Sequence, residues 1–297
     1  MIDYKAIEAL YLTLELQSFE EAAKKLNITQ PAISQRIKGL ESYYGEPVLI
    51  RTQPYSPTRL GKQLISHFKR ISLLEDELEK ELTPQKGKPH ISIALNRDSL
   101  ETWFLDFLEE NELFNKIVLE IVADDQELTL NYLKNGLVSA CLSTTPKPIT
   151  SGEVHFLGNM DYILAASPQF IRKHFSKENP HQSLMRAPAV KFDVHDKLHE
   201  KYLEEFFDLD GSEINFHIIP SVRGFKEFVL SGYGYALIPK IDIQTELKKK
   251  QLISIYNDKV LPVPLYWHNW SIQSKFYRSF NSNIIQYVGS RLRKGSL

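Results

Sequence analysis

Ser18-Phe19-Glu20-Glu21-Ala22-Ala23-Lys24-Lys25-Leu26-Asn27-Ile28-Thr29-Gln30-Pro31-Ala32-Ile33-Ser34-Gln35-Arg36-Ile37-Lys38-Gly39-Leu40-Glu41 reads as two short helices joined by a tight turn. Ser18 can cap the first free amides, and Glu21, three residues on, can reach back to close a capping box. Asn27 tolerates the left-handed position that stops the first helix, and Thr29 is an N-cap for the second, with Pro31 acceptable in its first turn. Phe19, Ala22, Ala23 and Leu26 form one inward face, and Ile33, Ile37 and Leu40 the other, at amphipathic spacing. Gln30, Ser34 and Lys38 then lie outward in one i, i+4, i+8 row. Pro31 and Gln35 stand beside the row, and Arg36 and Lys25 flank it. Such a face offers donors and acceptors for base edges in a major groove and cations for phosphates. A solvated helix face is the plain alternative; the short turn and the local charge favour DNA.

The chain has 297 residues, 36 Lys and Arg against 37 Asp and Glu, and a net charge of -1, yet the charge is unevenly spread. Residues 24–70 hold nine Lys or Arg and only Glu41 and Glu46 as acids, a local balance of +7. That footprint suits a polyanion. With 42% hydrophobic residues the length fits two or three domains with a sizeable core. The absence of a long apolar run, the acidic start Met1-Ile2-Asp3 and a single cysteine point to a reduced, cytoplasmic protein without membrane association.

In chain order, Tyr4, Ile7, Leu10, Tyr11 and Leu14 predict a first helix packed on the two above. Gly45 ends the helix that carries Gln30 to Lys38. Val48-Leu49-Ile50 reads as a strand, followed by Arg51, Thr52 and the turn-rich Gln53-Pro54-Tyr55-Ser56-Pro57, so a wing completes a winged helix-turn-helix over residues 1–58. Arg51 on that wing would meet the minor groove or the backbone. Thr58 caps a long helix in which Leu60, Leu64, Phe68, Ile71, Leu74, Leu78 and Leu82 approach a heptad seam, ended by Pro84 to Pro89. This seam, in a linker over 59–88, wants a second copy of itself; packing on the next domain is the alternative.

Residues 4–62, above all Phe19 to Ala23, Thr29 to Glu41 and Pro57-Thr58-Arg59-Leu60-Gly61, resemble the DNA-binding domain of LysR-type transcriptional regulators. Gln35 to Lys38, Arg51 to Pro54, Asp98 to Trp103 and Tyr266-Trp267-His268 are similar, more narrowly, to the ArgP/LysG (IciA) subgroup. The resemblance implies a homodimer or tetramer joined through the linker helix and promoter DNA with RNA polymerase as partners. It also implies a C-terminal domain like the periplasmic binding proteins that takes a small co-effector, with Thr52 added to the DNA-contacting set.

Residues 89–297 read that way on their own. Ile91 to Leu95, a helix from about Asp98 to Glu110, Val118 to Val122, a helix to Asn135-Gly136 and Val138 to Ser143 give a β-α-β-α-β order, hence a parallel sheet with ligands at its carboxyl ends. Tyr162 to Ala166, Ala189 to Phe192, His217 to Ile219 and Tyr235 to Ile238 alternate with helical segments near 168–174, 195–207 and 222–231. Val263 to His268 returns to the first lobe, and Gln273 to Arg293 closes it. The expected lobes are about 89–161 with 268–297, and 162–267, with a cleft between them. Candidate lining residues follow strand ends: Asn96, Asp98, Ser99, Asp124, Asp125, Asp193, Ser221, Trp267 and His268. Helix amides suit a ligand carboxylate and converging aspartates suit a cation, so together they suit a basic amino acid. Taken singly, Asp98 and Asp125 read equally well as helix caps and Asp124 as solvated.

Enzyme readings find little. His195 and His199 sit at i, i+4 near Asp193, but the metalloprotease glutamate is missing between them. Cys141 lies in an apolar strand, Ser99 and Ser221 lack a nucleophile elbow, and no dinucleotide or phosphate loop is present. The expectation is an α/β regulator without catalysis, metal or cofactor. Its effector would be L-lysine or L-arginine, and its target a basic amino-acid exporter or related genes. A regulator with another effector, or a DNA-compacting protein without a gated cleft, are the alternatives.

Overall fold

Asp3 and Ser18 each accept a backbone amide, from Ala6 and Glu21, and so start α1 (Tyr4–Glu15) and α2 (Phe19–Lys25). The computed structural model describes residues 2–82, 88–113, 115–176, 180–194, 196–211, 214–271, 273 and 275–292. The expected capping box is only half formed, because the Glu21 carboxylate turns to Lys24 at 2.8 Å. Asn27 takes the left-handed turn at φ 53. α3 (Gln30–Tyr44) begins at Thr29, whose carbonyl accepts the first amides while its hydroxyl makes no capping bond, and ends at left-handed Gly45. Ile7, Leu10, Ala22, Ala23, Ile33, Ile37 and Leu40 share one core, as their spacing predicts.

The wing is β1 (Leu49–Ile50) paired antiparallel with β2 (Ser56–Pro57). Val48, expected in the first strand, is buried just ahead of it. The Thr58 hydroxyl donates to the Pro47 carbonyl at 2.7 Å and accepts the Gly61 amide at 3.1 Å, which fixes the start of α4 (Arg59–Leu82) against the wing. A Cβ at Gly61 would collide with the Val48 carbonyl, so only glycine permits this approach. The predicted seam divides. Leu60, Leu64 and Phe68 pack into the core of their own chain, whereas Leu78 and Leu82 remain 55% and 71% exposed. The Pro84 stop lies outside the described residues.

The third region opens with β3 (His90–Asn96), α5 (Arg97–Ser99), a π-helical turn over Leu100–Phe104, α6 (Leu105–Glu110), β4 (Val118–Asp124), α7 (Thr129–Lys134) and β5 (Ala140–Ser143). β3 lies between β4 and β5, parallel to both, as the β-α-β-α-β reading requires. β6 (Gly152–Ala166) follows, then α8 (Pro168–His174), α9 (Pro180–Arg186), β7 (Ala189–Lys191), α10 (Leu198–Phe207) and β8 (Phe216–Ile218). The chain continues through α11 (Val222–Leu230), β9 (Ala236–Pro239), α12 (Gln244–Lys248), β10 (Ile253–Ser254), β11 (Leu261–Trp270) and α13 (Lys275–Gly289). The first ten residues of β6, with α9, α12 and β10, were not anticipated.

β6 and β11 are the two crossings. Their antiparallel register runs from Gly152↔Trp270 to Tyr162↔Leu261, and the last residues of β6 then pair with β9 and β10. β7 joins β8 in parallel, and its Ala189 forms an isolated bridge to Tyr235, just ahead of β9. The sequence-derived limit of the second lobe at 267 cuts through β11, which pairs with β5 from Tyr266 to Asn269; we propose moving it to about 260. The carboxyl ends of β3, β4, β7 and β9 thereby face one space between the lobes.

Candidate functional site

That space is a cavity of about 710 Å³, including the solvent at its mouth. β3 and β4 bring Asn96, Arg97, Asp98, Asp124, Asp125 and Gln126 to it from one side. Phe192, Asp193 and Asp196 after β7, Val222 and Phe225 of α11, and Asp242 after β9 come from the other, with Tyr162 of β6 at the crossing. Six of the described lining residues are aspartates and one is an arginine. The site is therefore electronegative and suits a cation.

Each carboxylate is partly held by the fold. Asp124 accepts the Tyr132 hydroxyl at 2.7 Å and the Asp125 amide at 2.8 Å; Asp125 accepts the Glu127 amide at 2.7 Å; Asp193 and Asp196 accept the amides of Asp196 and Leu198, both at 3.0 Å. Asp242 takes Lys226 of α11 at 3.3 Å. Asp98 accepts the Tyr162 hydroxyl. Burial raises the Asp98 carboxyl to about 6, with Asp196 and Asp242 adding to the rise and Tyr162 opposing it. Asp125 and Asp196 are also raised, chiefly by burial. Asn96, 4% exposed, donates to the Gln126 side chain at 3.2 Å while its own Oδ1 has no partner among the described residues. Arg97 reaches Asp193 at 3.2 Å.

Of the nine predicted cleft residues, Asn96, Asp98, Asp124, Asp125 and Asp193 come together at the cavity. The other four do not line it. Trp267 and His268 lie inside the sheet, where the indole donates to Asn281 at 2.9 Å and the imidazole meets the Thr145 carbonyl at 2.8 Å. They are mid-strand residues opposite Leu142 and Cys141, so their side chains enter packed layers rather than a strand end. Ser99 is buried without lining the cavity, and Ser221 spends its hydroxyl on the Gly224 amide to cap α11. Arg97, Tyr162, Asp196 and Asp242 were missed. Arg97 and Asp242 follow strands β3 and β9 and the strand-end rule reaches them; Tyr162 sits inside a strand and gave no signal.

His195 lies outside the described residues, and His199 is neither solvated nor near a metal cluster: it is buried between the rings of Phe216 and Tyr235, and burial lowers it to about 4. Among the described residues no group of three or more His, Cys, Asp or Glu could hold a metal ion. Cys141 is buried, which raises its thiol.

On the helix pair, Gln30, Pro31, Gln35 and Lys38 are exposed and Ser34 and Arg36 half-buried, so the row read from the sequence does face outward. Thr52 is exposed on the wing. Arg51 is exposed too, but its guanidinium binds Glu41 of α3 at 3.0 Å, and Glu41 also accepts the Val48 amide at 3.3 Å. Arg51 thus straps the wing to α3 while its side chain stays 44% exposed. No helix among the described residues is long and apolar enough to cross a membrane.

Comparison with known proteins agrees with this layout. The family profile "Bacterial regulatory helix-turn-helix protein, lysR family" matches residues 4–62. The HTH-type transcriptional regulator ArgP of Vibrio cholerae serotype O1 is 41% identical over 293 residues, 98% of each chain. The crystal structure of ArgP from Mycobacterium tuberculosis superposes with a TM-score of 0.89 at 27% identity, covering 100% of both chains. Full-length LysG from Corynebacterium glutamicum with bound effector Arg gives 0.83 at 26% identity, covering 98% of this chain and 100% of that one.

Proposed function

Since the chain belongs to the LysR family of bacterial transcriptional regulators, we propose that its cleft takes a basic amino acid, L-lysine or L-arginine, and thereby adjusts its hold on promoter DNA. Gln30, Ser34 and Gln35 would read bases, with Pro31 against the groove and Arg36, Lys38, Arg51 and Thr52 on the backbone. The bare Leu78 and Leu82 of α4 would pair with a second copy, making a homodimer or a tetramer built as a dimer of dimers. RNA polymerase would be the partner at the promoter, and a basic amino-acid exporter or related genes the target. Residues 1–58, 59–88 and 89–297 would be the DNA-binding, dimerising and effector-binding parts.

The observation that carries the effector is the lining itself: six aspartates against one arginine around a cavity of amino-acid size. The effector Arg of the Corynebacterium glutamicum protein supports the same class. Calorimetry of the full chain against the twenty amino acids tests it. Saturable heat should appear with lysine or arginine and not with neutral residues. Changing the aspartate that holds the side chain to Asn should cost about 2 to 5 kcal/mol, the usual loss for a buried charge partner. A neutral amino acid that binds as tightly as both basic ones would overturn the reading.

A further inference from the structure

Arg97 is the one cation among the described residues lining the cleft, and it is already engaged across it. It stands at the end of β3 in the first lobe, and its Nη1 binds Oδ2 of Asp193, just past β7 in the second, at 3.2 Å. The guanidinium lies 4.5 Å from the centre of the Phe192 ring, which seats it beside its partner. The only nearby lysine on α11, Lys226, is committed to Asp242 at 3.3 Å and Glu246 at 3.1 Å and does not line the cavity.

An amino acid entering this cleft brings a carboxylate as well as one or two cations. Among the described lining side chains, Arg97 alone can offset that carboxylate. We propose that effector binding is an exchange of ion pairs. Arg97 ties the two lobes through Asp193; with effector bound, Arg97 holds its α-carboxylate and Asp193 takes its side-chain cation. The exchange turns one ion pair into two, with no charge left uncompensated that was paired before. Asn96, next to Arg97 and with a free Oδ1 in a buried setting, is placed to accept the α-ammonium. Arg97 is then both latch and selector. A cation without a carboxylate competes with Arg97 for Asp193 and gives Arg97 nothing in return, so it is discriminated against. The two arrangements differ in whether the lobes are tied directly or through the ligand, which gives the effector the differential affinity a switch requires.

The proposal rests on the basic amino-acid reading, and the experiment separates the two. Full-length wild type, Arg97→Gln, Arg97→Lys and Asp193→Asn are titrated calorimetrically with L-lysine, L-arginine and their decarboxylated analogues cadaverine and agmatine. Wild type should prefer each amino acid over its analogue by about thirtyfold or more, the effect of one desolvated charge partner. Arg97→Gln should lose that preference, because the amino acids bind worse while the analogues bind as well or better once Arg97 no longer competes with them for Asp193. Arg97→Lys, which keeps the charge, should fall between and serves if the glutamine variant does not fold. Asp193→Asn should weaken all four probes and keep the preference. If wild type takes up neither amino acid, the basic amino-acid reading fails and this proposal with it. If wild type binds lysine or arginine and both Arg97 variants discriminate as wild type does, the ion-pair exchange alone is overturned, and the carboxylate belongs at the amides of α11.

Discussion

Asp98 shows what one residue contributes. Burial first, then Asp196 and Asp242, hold its carboxyl at about 6 against an ordinary 3.8. A carboxyl raised in the folded state binds its proton more tightly there, so its contribution to stability is intact below about 3.8 and is lost as pH rises through about 6. Thermal unfolding of the ligand-free protein between pH 4 and 7 should show this decline, and Asp98→Asn should flatten it. A bound cation reverses the preference, so affinity for arginine should fall by up to about tenfold per unit as pH drops below 6. On the other module, Ser34→Ala and Gln35→Ala should relax sequence preference by about 1 to 3 kcal/mol per base contact, and Lys38→Ala should weaken all sequences alike and lower the salt slope by about one. Binding measured on operator and random DNA over a salt series checks both. These residues were legible because position alone marks them: an outward helix row, or a strand end. Trp267 and His268 do not line the cleft because β11 runs on to Trp270, which makes them mid-strand residues rather than the strand end that Val263 to His268 predicts. Tyr162 was invisible because only the tertiary crossing turns a strand residue into a lining residue.

Among the elements, α4 carries the most consequence. Its first turns share the core of α1, while Leu78 and Leu82 present bare apolar side chains at its far end. Leu78→Asp should therefore leave the chain folded and dissociate the proposed dimer, since it would place an unpaired carboxylate in the proposed seam. Sedimentation should show a monomer, with operator affinity reduced and amino-acid binding kept; a variant sedimenting as wild type would remove this end of α4 from the interface. The heptad spacing predicts an apolar stripe along α4, but periodicity cannot tell which half the chain covers itself. β6 illustrates the opposite failure. Its last five residues, Tyr162 to Ala166, are continuously buried and apolar enough to read as a strand; Gly152 to Phe156 holds no buried residue, and the stretch contains Gly152 and Gly158, so it carries no strand signal of its own. Pairing with β11 makes it a strand, and that partner lies about a hundred residues away.

At the scale of the molecule, α4 is also the physical link between cleft and DNA module. On one face Lys69 lies 4.6 Å over the Tyr11 ring of α1. On another, Ser66 donates to the Lys134 carbonyl at 2.7 Å and Arg70 lies 4.6 Å over Trp270, both in the lobe that supplies Arg97 and Asp98. Gly136 makes this contact possible: it is left-handed at φ 66, and a Cβ there would come within 2.8 Å of the Ser66 carbonyl. Gly136→Ala should cost more than about 1 kcal/mol in chemical denaturation and weaken the effect of amino acids on DNA binding, with amino-acid affinity itself little changed. Coupling of this kind must appear in the DNA complex, because an effector acts only through its different affinity for two arrangements. The most direct measurement is a footprint of the full-length protein on the DNA upstream of its own gene, with L-lysine, L-arginine or norleucine added. The expected result is a bounded footprint whose length or bending changes with lysine or arginine and stays unchanged with norleucine. Uniform protection without boundaries, or a response to norleucine equal to that of the basic amino acids, would contradict it.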